Sequence, residues 1–136
     1  MNYLILYDSE VIGTMVEPGA DPPMGMVHGP FKRTLAYRKV QPIFRLFTEA
    51  TWVNQGHKPD EDKLARYYRE RDALHLTVTT AEGLPVPVAW VHVDDVAQES
   101  GEEEGYRAEF NVPPDPIFQP TGSFFRDPHY WDGFDY

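Results

Sequence analysis

The sequence contains no cysteine and only three serines among its 136 residues. Without cysteine, the chain forms neither a disulfide framework nor a thiolate metal site. None of the serines lies in a strand-turn-helix context that suits an activated nucleophile. The nucleophile elbow, the phosphate-binding loop, zinc-ligand spacing and the dinucleotide fingerprint are missing as well. These absences leave enzymatic activity open and favour a protein that is not an enzyme.

Long apolar runs are also missing. No stretch approaches the roughly 18 apolar residues that are needed to cross a bilayer. The first residues lack the basic segment, the apolar run and the small-residue cleavage site of a secretory signal. We therefore expect a cytoplasmic protein that does not associate with membranes.

Positive charge is scarce, since the formal net charge at pH 7 is −10. Residues 1–31 hold four acids and no Lys or Arg, residues 32–72 hold ten bases and six acids, and residues 73–136 hold two bases and twelve acids. Because the phosphates of nucleic acid would be repelled, we expect no nucleic-acid partner. The basic middle segment is interpreted as solvated helix faces in preference to a basic patch for an acidic ligand.

Apolar residues make up 41% of the chain and aromatic residues 14%, which is enough to form one folded core. We predict a single α+β domain over residues 1–116. Residues 34–53 form its central helix, since five apolar residues recur at a spacing of three and four. These residues are Val40, Ile43, Phe44, Phe47 and Ala50.

The start of this helix leaves two alternatives, because Pro42 lacks a backbone N–H. Either the helix kinks at Pro42, or a short turn covers residues 34–40 and the main helix begins with Pro42 in its first turn. The outward position of Pro42 favours the kink. Thr34 is predicted to cap the helix with its hydroxyl.

Apolar alternation predicts a two-layer fold with a mainly antiparallel sheet of five or six strands and two consecutive helices on one face. The second helix runs from Pro59 to about Arg71. The strands are predicted at residues 2–7, 11–17, 74–79, 86–94 and 106–112, and residues 24–31 form a sixth strand or none.

The connections are predicted from their turn residues. Residues 2–7 and 11–17 form one hairpin, and 74–79 and 86–94 form a second. Gly13 marks a bulge or a close approach by a neighbouring segment. Residues 17–23, with three prolines and a glycine, form a loop.

Two further predictions concern the acidic part of the chain. Residues 97–105, rich in glutamate, form a mobile connection. Residues 106–112, which follow it, form an edge strand.

Residues 117–136 form an irregular strap rich in proline and aromatic residues. Its aromatic side chains are costly to leave in water, so the strap packs on its own domain or on a partner subunit. We predict a homodimer in which the strap contributes to the interface. The predicted interface residues are Phe124, Phe125, Tyr130, Trp131 and Phe134.

Candidate site residues come from clusters of aromatic and charged side chains. A ligand pocket between helices and sheet is predicted at Tyr37, Arg38, Tyr67, Trp90 and His92. His92 and Asp94 lie on one side of a strand and are candidate metal ligands, with a third ligand from Asp127 or His129. We expect no cofactor.

Two functions remain. The first is a non-enzymatic acidic protein that binds a basic protein partner, as an inhibitor, immunity protein or antitoxin does; the acidic charge steers association and the aromatic strap anchors it. The alternative is a small-molecule-binding domain or enzyme that uses the pocket between helices and sheet.

Overall fold

A computed structural model describes residues 2–16, 18–21, 24–51, 58–101 and 106–113. It confirms the α+β class and the antiparallel sheet, with more strands than predicted. No helix in these ranges is long and apolar enough to cross a membrane. The strands are β1 Tyr3–Tyr7, β2 Glu10–Met15, β3 Gly19–Asp21, β4 Met26–Arg33, β5 Thr77–Thr80, β6 Pro85–Val86, β7 Trp90–Asp95 and β8 Tyr106–Asn111. The helices are a 3-10 helix Leu35–Lys39, followed by α1 Gln41–Thr51, α2 Glu61–Leu74 and α3 Ala97–Ser100.

The sheet curls until its two ends meet. The strand order is β6-β5-β1-β2-β4-β8-β7, with β3 paired to β4. In a flat sheet six strand spacings would put β6 and β7 about 29 Å apart. Only residues 87–89 join these two strands, and the chain from Val86 to Trp90 spans at most about 14 Å. The sheet therefore curves into an incomplete barrel with a seam between β6 and β7.

This order corrects two strand predictions, the second hairpin and the edge strand, and one loop prediction. β5 pairs with β1 and the two-residue β6, so it does not form a hairpin with β7. β7 lies at the end of the sheet and pairs with β8. β8 lies between β4 and β7 and is not an edge strand. Residues 19–21, within the predicted loop, form β3 on the side of β4.

The β1–β2 hairpin follows the prediction closely. Asp8 and Ser9 both have positive φ, at 51° and 66°. Two successive positive φ angles give the two-residue hairpin turn whose backbone twist matches that of the two strands it joins. The register shifts next to Gly13, since Ile5 pairs with Gly13 and Leu6 pairs with Val11, and a Cβ built on Gly13 would overlap the Phe31 ring. Gly13 therefore marks both a bulge and a close approach.

The start of α1 decides between the two alternatives at Pro42. A 3-10 helix covers Leu35–Lys39, and α1 begins at Gln41. Pro42 thus lies in the first turn of α1, where its missing N–H has no helical partner to lose. The favoured kink is wrong and the alternative is confirmed. The predicted cap is wrong as well, because the Thr34 hydroxyl donates to the carbonyl of Val11 at 2.6 Å.

Helices α1 and α2 pack on each other and on β7 at the end of the sheet. Asp60 caps α2 by accepting the backbone N–H of Lys63 at 3.1 Å. The short helix α3 occupies the start of the predicted mobile connection, and its Glu99 is held by Arg45 of α1. α1 contributes Phe44, Leu46 and Ala50 to the core.

Most of the core consists of apolar side chains from the strands. Tyr3 packs edge-on against Phe110 with 5.3 Å between ring centroids. This contact joins β1 to β8, which are separated by two strands in the sheet order. The other buried strand residues include Ile5, Ile12, Met15, Val27, Val78, Val91, Val93 and Ala108.

Candidate functional site

The predicted pocket residues do not form one pocket: Tyr37, Tyr67 and His92 are buried in the core, Trp90 lies at the seam of the sheet, and Arg38 is exposed. Tyr67 of α2 and His92 of β7 are hydrogen-bonded through the phenol and Nδ1 of the imidazole. Nε2 of His92 lies 2.7 Å from Oδ1 of Asp94. Since a carboxylate only accepts, Nε2 carries the proton in the neutral ring, and Nδ1 accepts from Tyr67. The structure thus joins three of the predicted residues in one chain of hydrogen bonds.

This chain of hydrogen bonds is structural. Tyr67 is fully buried and His92 is 5% exposed, so a substrate in solvent does not reach the phenol. The His92 ring packs on Phe44, Phe47 and Tyr67. Burial also raises the pKa of the Tyr67 phenol above its usual value, which keeps the phenol protonated.

Metal binding at His92 and Asp94 competes with these hydrogen bonds, because both ring nitrogens have protein partners. Among the residues that the structure describes, no three His, Asp or Glu side chains come together in a metal-binding group. Asp127 and His129, the predicted third ligands, lie outside those residues.

Tyr37 belongs to a second buried cluster around Asp95, which is 1% exposed. The Asp95 carboxylate accepts from the Tyr37 phenol at 2.7 Å and from Nε2 of Gln41 at 3.0 Å. The backbone carbonyl of Asp95 accepts from Thr48 and Arg45. A buried carboxylate with these partners fixes the 3-10 helix and α1 to the end of β7. Burial, with the adjacent Asp95, raises the pKa of Tyr37.

Arg45 also binds α3. Its two terminal nitrogens donate to the two carboxylate oxygens of Glu99 at 2.7 and 2.8 Å. This paired geometry is the strong form of an arginine–carboxylate contact. The hydrogen bonds from Arg45 hold the pKa of Glu99 below its usual value, and they raise the pKa of Arg45.

Trp90 lies in a different place, on a groove of about 610 Å³ between the two ends of the curled sheet. We call this the seam groove. Its volume falls within the range of small-molecule pockets, roughly 300–1,000 Å³. Helix α2 closes one end with its last turn, and β5, β6 and β7 form the walls. The lining residues are Arg71, Asp72, His75, Leu76, Thr77, Val78, Thr79, Pro85, Val86, Val88, Ala89, Trp90 and Val91.

Arg71 is the basic group of the seam groove. Its guanidinium carbon lies 5.3 Å from the centroid of the Trp90 ring and 5.1 Å from that of Tyr68. Its Nε and Nη2 both donate to Oδ1 of Asp72, at 3.1 and 3.0 Å. The Arg71 side chain is 12% exposed, whereas that of Asp72 is 63% exposed. A cation is thus fixed in the groove wall by aromatic rings and one solvated carboxylate.

His75 also lines the seam groove, in a backbone conformation that favours glycine. It ends α2 at φ 51° and ψ 49°, in the left-handed region. A side chain in this region is uncommon and adds local strain. A left-handed residue is a common way to end a helix, so the conformation of His75 is accounted for by the end of α2.

Sequence analysis therefore finds one residue of the seam groove, Trp90. It misses Arg71 and His75, since the first is placed at the end of the second predicted helix and the second within the predicted strand at residues 74–79. Arg38 is exposed on the 3-10 helix and does not line the groove. Only the closeness of β6 and β7 in space identifies the site.

Comparison with known proteins gives no relative: no family model, curated protein or solved structure matches the chain. The geometry of the site is therefore what indicates a function.

Proposed function

We propose that the protein is a binding protein whose seam groove accepts a small aromatic molecule that carries a carboxylate or another anionic group. The observation that supports this most directly is the position of Arg71. Its guanidinium lies in the wall of a mainly apolar groove, where rings hold it in place. This develops the small-molecule alternative of the sequence analysis.

The side chains of the groove walls support an aromatic ligand. The Trp90 side chain provides a flat face, and Val86, Val88 and Val91 provide aliphatic contacts. A pocket of this kind binds apolar rings, and a few polar groups set their orientation. Thr77 and Thr79 also line the groove along β5, and the Thr79 hydroxyl donates to the carbonyl of Thr80 at 3.0 Å.

The anionic group of the ligand is supported by the weakness of the ion pair between Arg71 and Asp72. Asp72 is the next residue in the chain, and most of its carboxylate is in water. Ion pairs with both partners exposed contribute about 0.2–1 kcal/mol, and in this pair the carboxylate is the exposed partner. A ligand carboxylate that binds Arg71 with two parallel hydrogen bonds therefore replaces Asp72 at small cost and gains the stronger geometry.

The experiment compares two probes that share a ring system. Naphthalene-2-carboxylate and the uncharged naphthalene-2-methanol are titrated into the ¹⁵N-labelled protein. We expect shifts at the amides of residues 76–79 and 88–91 with both probes, and about tenfold tighter binding of the carboxylate. Tenfold corresponds to about 1.4 kcal/mol, close to the lower limit of roughly 1.5 kcal/mol for a hydrogen bond to a charged group.

The matched control lies on the same helix. Arg71→Ala should abolish the preference for the carboxylate, whereas Arg69→Ala should keep it, because Arg69 is exposed and does not line the groove. Equal affinity of wild type for both probes, or shifts away from residues 76–79 and 88–91, would overturn the proposal.

A second candidate is the acidic interaction protein that binds a basic partner. It is supported by the ion pairs within the chain, because five basic side chains each pair with a carboxylate of the same chain. These are Lys39, Arg45, Lys63, Arg66 and Arg71. The surplus of acids is therefore left for solvent or a partner. Both candidates take the protein to be cytoplasmic, and the predicted homodimer remains a proposal.

The second candidate is tested by capture from a lysate of the source cells at low and at moderate salt. A basic partner that is attracted by the acidic surface should be captured at low salt, and less of it should be captured at moderate salt, because salt screens the attraction. The charge-reversed Glu61→Lys/Asp62→Lys variant, changed at two exposed positions of α2, should retain less of it. Recovery of no partner under either condition would contradict this candidate.

A further inference from the structure

The chain continues beyond the described residues from a point beside the seam groove. Asn111, the last residue of β8, pairs with Trp90, the first residue of β7. Its carbonyl accepts the backbone N–H of Ala89 at 2.8 Å. The N–H of the buried Val112 donates to the carbonyl of Gly25 at 2.7 Å, which fixes the chain two residues before residue 114. Residues 114–136 are therefore attached next to two residues that line the groove.

The composition of this segment matches the groove. Residues 114–136 contain seven aromatic residues, four aspartates and one arginine. The groove offers the Trp90 face, aliphatic walls and the guanidinium of Arg71. Aromatic side chains next to aspartates have the chemistry of an aromatic anion, which is the ligand class proposed above.

We propose that residues 117–136 of the same chain occupy the seam groove and compete there with the aromatic anion. The proposal rests on the proposed function of the seam groove and adds a way in which ligand binding there is regulated. Attachment beside the groove gives the segment an effective concentration near the millimolar range. A segment with only micromolar intrinsic affinity then fills the groove, and a free ligand must displace it.

The test uses the full-length chain and exploits its lack of cysteine. Ser123→Cys places a single thiol next to Phe124, and a nitroxide is attached to it. In ¹⁵N-labelled protein we expect line broadening at the amides of residues 76–79 and 88–91. The same sample with the nitroxide reduced is the reference. An unbroadened groove would overturn the proposal.

A mixed sample separates one chain from two. Nitroxide-labelled ¹⁴N chains are mixed with ¹⁵N chains that carry no label. Broadening of the groove in the mixture would show that a second copy supplies the segment, and this would overturn docking within one chain in favour of the predicted homodimer. Light scattering on the same samples should then give the mass of a dimer.

Two comparisons separate this inference from the proposed function. Arg71→Ala should weaken the broadening and Arg69→Ala should not. In the full chain, Trp131→Ala/Phe134→Ala should bind naphthalene-2-carboxylate several-fold tighter than wild type, because the competing segment is weakened. If the groove is broadened but neither wild type nor the double variant binds the probe, docking of the segment is supported and the small-molecule function is contradicted. If wild type and the double variant bind the probe equally well and the groove is not broadened, the small-molecule function is supported and docking of the segment is contradicted.

Discussion

The phenol of Tyr67 and Nδ1 of His92 form a buried hydrogen bond that ties helix α2 to the middle of β7. We predict that Tyr67→Phe lowers the free energy of unfolding by about 1–3 kcal/mol, since it leaves a buried acceptor on His92 without a donor. Urea unfolding at pH 7 measures this loss.

The adjacent tyrosine provides the control. Tyr68 is 45% exposed, so Tyr68→Phe should change the stability by less than about 0.5 kcal/mol. Similar small losses in the two variants would contradict a structural role for the Tyr67–His92 bond.

Glu99 should make stability depend on pH in the acid range. Its pKa is held below the usual value of 4.5 by Arg45, so its ionised form stabilises the fold. This contribution is complete above pH 4.5 and is lost as the pH falls through the lowered pKa. We expect Glu99→Gln to be less stable than wild type by about 1 kcal/mol at pH 7, with the difference shrinking below pH 4.5.

Chemical unfolding at pH 7, 5 and 3 measures this dependence. Glu82→Gln, in the exposed turn between β5 and β6, should show no comparable trend. A Glu99→Gln difference that stays constant down to pH 3 would contradict the role of the ion pair.

His75 should cost stability through its backbone conformation. Because φ is 51°, His75→Gly should raise the free energy of unfolding by up to about 1 kcal/mol. His75→Val should lower it, since a β-branched residue is least tolerated at positive φ. Thermal unfolding of the three proteins checks this order. A less stable glycine variant would show that the histidine side chain contributes more than its backbone costs.

Gly13→Ala should be among the most destabilising single-methyl changes. The added Cβ would overlap the Phe31 ring and lie 2.9 Å from the Lys32 carbonyl oxygen. We expect a loss of about 2–3 kcal/mol, as for overpacking elsewhere. Gly83→Ala is the comparison: it meets no atom within 4 Å, so its loss of about 1 kcal/mol comes from its positive φ alone.

A double variant identifies the cause. If the overlap with the ring dominates, Phe31→Leu should recover part of the loss in Gly13→Ala, giving a favourable coupling energy in urea unfolding. Strict additivity of the two changes would contradict this explanation.

Local patterns in the sequence determined helices α1 and α2, the first hairpin and the glycine bulge. Alternation of apolar residues locates strands because side chains point to opposite faces at every step, and a spacing of three and four locates helices for the corresponding reason. Pro42 was harder, since its steric effect permits two solutions. In the observed solution, a 3-10 helix precedes α1, and Tyr37 of that 3-10 helix makes a tertiary hydrogen bond with Asp95.

Strand order and the site were decided only by the tertiary structure. Pairing between β7 and β8, and the curl that brings β6 back to β7, depend on packing among residues far apart in the chain. The seam groove exists because that curl stops short of closure, with Arg71 on a helix and Trp90 on a strand meeting across the gap. The sequence by itself supplies the arginine and the tryptophan. The 5.3 Å between the guanidinium carbon of Arg71 and the centroid of the Trp90 ring is a property of the tertiary structure, which no local pattern encodes.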